Sequence, residues 1–139
     1  MGQQQLLLII LGVIIVGIAI AVGLQLFQAG SVGANQDAIQ NDVMNIAAHA
    51  QQFFVRPSSM GGGDGTFNSG GPNNQGYELP ARLETTGNGI YEIIATGANT
   101  ITIEGESTPY PGSTVRLVYT RGTGTEDDTY GWTFGGLFE

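Results

Sequence analysis

Cysteine is absent, lysine is absent, and histidine occurs once, at His49. Without cysteine there is no disulfide framework and no thiolate metal site. With one histidine, a zinc site or a His-based catalytic relay lacks its parts. Four bases stand against twelve acids, and all four are arginines: Arg56, Arg82, Arg116 and Arg121. A net charge of −8 argues against nucleic-acid binding, because phosphate binding needs clustered Lys and Arg. No Gly-rich phosphate loop ending in lysine is possible, and no nucleophile, base and orienter can be assembled from the inventory. No enzyme activity and no cofactor are expected.

Charge is also missing locally. From Gly2 to Gln36 there is no charged residue, the first being Asp37, and no proline precedes Pro57. Leu6 to Leu24 is an unbroken run of Leu, Ile, Val, Ala and Gly, which as a helix spans ~28 Å at about 1.5 Å per residue. A bilayer core is about 30 Å thick. A secretory signal has a basic n-region and a shorter apolar stretch. Here Gln3, Gln4 and Gln5 precede a longer one, so a permanent hydrophobic helix is the reading.

Beyond the run, Ile39, Val43, Ile46, Ala50 and Phe53 recur at spacings of four, three, four and three, which puts them on one helix face. Asp37, Gln40, Asn41, Asn45, His49, Gln51 and Gln52 fall largely on other faces. The spacing predicts one helix from about Gln3 to Val55, ~80 Å long, apolar over 6–24 and amphipathic over about 31–55. It ends before Pro57, with Arg56 where the helix dipole favours a cation. Gly12, Gly17, Gly23, Gly30 and Gly33 interrupt it; small residues permit close approach of neighbouring helices, or are simply common in membrane helices. Gly30 to Gly33 is the weakest stretch by propensity.

Residues 56–76 form a connector rich in Gly, Ser and Asn, read as a long loop. Strands follow within 77–139: Ile90 to Thr96, Thr100 to Glu104, Thr114 to Thr120 and Thr129 to Phe134. Ile101, Ile103, Val115, Leu117 and Tyr119 alternate with Thr102, Glu104, Arg116 and Val118, the pattern of a sheet with one buried face. Gly97-Ala98-Asn99 reads as a tight turn and Arg121 to Asp128 as a longer hairpin loop. The expectation is an α+β chain: a four-stranded antiparallel meander packed on the Ile39–Phe53 face. Trp132, Phe134, Leu137 and Phe138 are expected to add bulk to its core.

A long helix with an apolar front half, a one-sided second half and a β head resembles type IV pilins and pseudopilins. That resemblance implies a helix stored in the inner membrane and then packed with its copies in the core of an extracellular filament. It implies Leu6, Leu8, Ile10, Ile14, Val16, Ile20, Leu24 and Phe27 as filament-core packing residues. It further implies a pilus assembly machinery, and a prepilin peptidase that cuts after a glycine, placing processing at Gly2 and Gln3, with methylation. Two family features are missing: the glutamate near the mature N-terminus, whose region holds Gln3, Gln4 and Gln5, and a basic leader. A buried glutamine avoids the cost of an unpaired buried carboxylate. The function expected is a structural subunit that polymerises helically. The alternatives are a minor pilin or pseudopilin of a secretion or DNA-uptake machine, and a membrane-anchored binding domain that never polymerises. For metal, Glu126, Asp127 and Asp128, with Asp64 or Glu106, are candidate calcium ligands because calcium prefers carboxylate oxygens; solvated loop acids are the plainer alternative. Asn-x-Ser/Thr is absent, so N-linked sugars are not expected.

Overall fold

The computed structural model describes residues 2–68 and 76–139; the connector's residues 69–75 lie outside them. Helix α1 runs Gly2–Val55, without interruption at Gly30 or Gly33. Each glycine costs about 1 kcal/mol of helix propensity against alanine, but with no proline to remove a donor the i→i−4 ladder continues. Contacts divide the chain into two compact units, Met1–Ala34 and Asn35–Glu139. The first is the apolar part of α1.

In the second unit, strands β1 (Gly89–Thr96), β2 (Thr100–Ser107), β3 (Thr114–Thr120) and β4 (Thr129–Gly135) form one antiparallel sheet in the order β1-β2-β3-β4. A four-residue helix, α2, spans Ala81–Glu84. Strand β2 extends three residues past Glu104, to Ser107, because Val115 and Thr114 continue the ladder opposite Gly105 and Glu106, and Gly89 stands opposite Ser107. A bulge between Ile93 and Ala95 sets Ile94 out of register with β2. Ile101, Ile103, Val115, Leu117 and Tyr119 are wholly buried, and so are Ile39, Val43 and Ala50 on α1, with Ile46 and Ala47 at 1% exposure. Each large apolar side chain so buried contributes about 1.5–3 kcal/mol.

Phe53 is only half-buried, and of the four aromatic and leucine residues expected in the core only Phe138 is buried. Trp132 and Phe134 are half-buried and Leu137 is exposed. The reason is width. Strands lie about 4.8 Å apart, so four strands are wider than a helix of ~10–12 Å diameter. One helix covers β2 and β3 and leaves the inner face of β4 partly open.

The connector does more than link. Val55 ends α1, and Gly63, Asp64 and Gly65 N–H groups then donate to the carbonyls of Phe53, Arg56 and Phe54 at 2.8, 3.0 and 2.8 Å. These carbonyls would otherwise be unpaired at the helix end. A Cβ on Gly62 would collide with the Arg56 carbonyl, and one on Gly63 with that of Thr66, so the glycine run is what lets the chain fold back. Phe67 then enters the core at 0% exposure, against Phe54 and Tyr119.

Candidate functional surface

Between Leu6 and Phe27, sixteen Leu, Ile, Val and Phe side chains are exposed, by 48% to 76%. The filament-core packing residues Leu6, Leu8, Ile10, Ile14, Val16, Ile20, Leu24 and Phe27 are all among them. At about 1.5–3 kcal/mol per side chain, covering this surface is worth on the order of 20–50 kcal/mol. That exceeds the ~5–15 kcal/mol by which a domain is normally stable. The apolar surface goes all round the helix rather than along one stripe, so a single partner groove would not cover it. This helix is long and apolar enough to cross a membrane and could anchor in one. Gly2 and Gln3 lie in its first turn, exposed.

The other half of α1 carries a polar cluster against the sheet. Asp42 stands three residues after Ile39 and four before Ile46, on the flank of the buried stripe. Its Oδ2 accepts hydrogen bonds from Tyr91 Oη at 2.6 Å, Thr86 Oγ1 at 2.9 Å and Asn88 Nδ2 at 3.0 Å. Asn35 extends the cluster, its Nδ2 donating to the Asn88 carbonyl at 3.3 Å and its Oδ1 accepting from Ser107 Oγ at 2.6 Å. Burial alone would raise the Asp42 pKa, but the bonds from Tyr91, Asn88 and Thr86 outweigh it and hold the carboxyl below its ordinary range. Burial and the same bond to Asp42 push the Tyr91 phenol upward. Asp42, Thr86, Asn88 and Ser107 were not singled out from the sequence. The available signal was a lone acid on the apolar helix face, at helical spacing from Ile39 and Ile46.

His49 also turns toward the head, sharing a 2.9 Å hydrogen bond with the Tyr77 hydroxyl. Its pKa is lowered by burial first, then by the charges of Arg82 and Arg56. Burial pushes the Tyr77 phenol up to about 12. Gln36 Nε2 donates to the Phe138 carbonyl at 3.4 Å.

The candidate calcium ligands do not converge. Asp128 uses both oxygens within its own hairpin, Oδ2 accepting from Tyr119 Oη at 2.7 Å and Oδ1 from the Gly122 N–H at 3.0 Å. Those two bonds, Tyr119 first, hold its pKa low. Among the described residues no three His, Asp or Glu gather as a metal would require. Asp128 is a loop clamp.

A long N-terminal helix whose second half packs on a small antiparallel sheet is a pilin-like architecture. No family model matches the chain, and no curated protein or solved structure matches it.

Proposed function

We propose that this chain is a structural subunit, not an enzyme, and that it polymerises helically into an extracellular, type IV pilus-like filament through its apolar N-terminal helix. The observation that carries the reading is the uncharged helix surface from Leu6 to Phe27, exposed on every side next to a folded α+β head. An all-round apolar helix is satisfied equally by lipid and by identical helices. The inner membrane stores the subunit, and copies of itself replace the lipid on assembly. Glycines at 12, 17 and 23 have open space around them and let neighbouring helices approach. The partners implied are a pilus assembly machinery and a prepilin peptidase acting at Gly2 and Gln3.

Electron microscopy of sheared cell-surface material, with N-terminal sequencing of its main protein, tests this. The expected result is fibres composed mostly of this chain. Fibres in which it is scarce identify a minor pilin or pseudopilin. A chain that stays with membranes and makes no fibres is an anchored binding domain, and the proposal fails.

A further inference from the structure

The polymer reading leaves open how heads meet. Copies carrying a net charge of −8 repel one another, so their contact must use surface free of acids or opposed by donors. The stretch Thr129–Phe138 has no charged residue, although nine of the chain's twelve acids lie in the head, residues 77–139. It comprises the edge strand β4 and the 3-10 turn Gly136–Phe138, and it displays Tyr130 at 43% and Leu137 at 60% exposure. Trp132 and Phe134 lie between them, half-buried, their rings parallel within 2° and 6.4 Å apart. The Trp132 indole N–H, which can only donate, has no partner among the described residues.

The opposite edge of the sheet offers the complement. A cleft of about 580 Å³ lies beside β1, with apolar walls from Leu79, Ile90 and Ile93 and with Glu78, Glu84 and Glu92 at its border. Its size is that of a site for a bulky ligand, for which about 300–1,000 Å³ is usual. Its lining includes no base. Carboxylate acceptors border this edge, and the indole and Tyr130 phenol hydrogens stand on the other.

We infer that, in the filament, the β4 edge of one head seats Trp132, Phe134 and Leu137 in the β1 cleft of the next copy, with indole and phenol hydrogens directed at the glutamates. The occupant is a second copy of this chain. Because knob and cleft sit on opposite edges of one sheet, the contact is heterologous and does not close, so it propagates. A β4-to-β4 contact would stop at a dimer and leave the glutamates unanswered. The bridge between Thr85 and Ile90 and the bulge at Ile94 blunt β1 as a strand edge. Side-chain packing, not a continued ladder, makes the joint. This inference rests on the filament reading.

The test places charge on the exposed Leu137 of the full-length chain and weighs sheared fibres. Leu137→Glu is expected to cut fibre mass roughly tenfold or more, as like charges do at a partly desolvated contact. Leu137→Arg and the distant loop variant Thr123→Glu are expected to assemble as the parent does. Adding Glu84→Arg and Glu92→Arg to Leu137→Glu is expected to restore the fibres. Equal assembly by both Leu137 variants, equal loss in both, loss in Thr123→Glu, or no rescue each overturns the inference while leaving the filament reading intact. If the parent itself makes no fibres, the filament reading falls and the inference with it.

Discussion

Removing the Asp42 carboxylate should loosen the head from the helix that carries it. Tyr91, 2% exposed, donates its hydroxyl to Asp42 at 2.6 Å and, among the described residues, has only Thr86 Oγ1, at 3.4 Å, as an alternative. A hydrogen bond to a charged acceptor contributes about 1.5–3 kcal/mol net, and a buried donor left unmade costs a similar amount. Asn88 and Thr86 are half-buried, so water replaces part of what they lose. Asp42→Ala is therefore expected to cost about 2–3 kcal/mol, which for a unit of ~100 residues lowers Tm by about 10–20 °C. Asp42→Asn keeps an acceptor oxygen and should cost about half as much. The pH dependence has a definite sign. The folded pKa of Asp42 lies below the ordinary 3.8, so its contribution is complete above the unfolded value of about 3.9 and disappears as pH falls through the folded one. Full-length protein in detergent micelles, heated while Trp132 fluorescence is followed, gives both readings, because Trp132 reports on the head alone. Asp42→Ala within 0.5 kcal/mol of the parent, or an Asp42→Asn acid limb identical to the parent's, would refute the reasoning.

Gly105→Ala puts a Cβ 2.8 Å from the Tyr91 ring and 2.9 Å from Ile39 Cγ2; a loss of about 1–3 kcal/mol is expected from overpacking in the same melt. In alkaline titration followed by phenolate absorbance, Tyr77 and Tyr119 should ionise near 12, about two units above the ordinary 10. Burial is the first cause at both, with the bond to Asp128 added at Tyr119; their folded pKa values are raised, so the stability they lend is complete below pH 10 and lost as pH climbs through 12. Phenols that all titrate together at 10 would contradict these environments. Ile14→Asp, which places a carboxylate on the apolar helix, should abolish fibres while the Trp132 melt of the head stays at the parent's temperature; unaffected fibres would sink the assembly reading.

Much of the fold was legible because its signals are local. A charge-free, proline-free run and apolar residues at helical spacing are enough to define α1 from about Gln3 to Val55, and two-residue alternation in Thr100–Thr120 marks β2 and β3 with their buried face. The absence of cysteine alone excludes a thiolate site. What the tertiary structure decided depends on partners far apart in sequence or on the width of the layers. Asp42 meets Tyr91 49 residues on, and Asn35 meets Ser107 after 72. Phe67 reads as loop by its Gly- and Ser-rich neighbours, yet becomes core because glycines with room only for hydrogen fold the chain back onto the helix end. Trp132, Phe134 and Leu137 read as core by composition, yet stay half-buried or exposed because one helix covers only the middle of a four-stranded sheet. Periodicity assigns residues to a face; only the packed layers decide whether anything covers it.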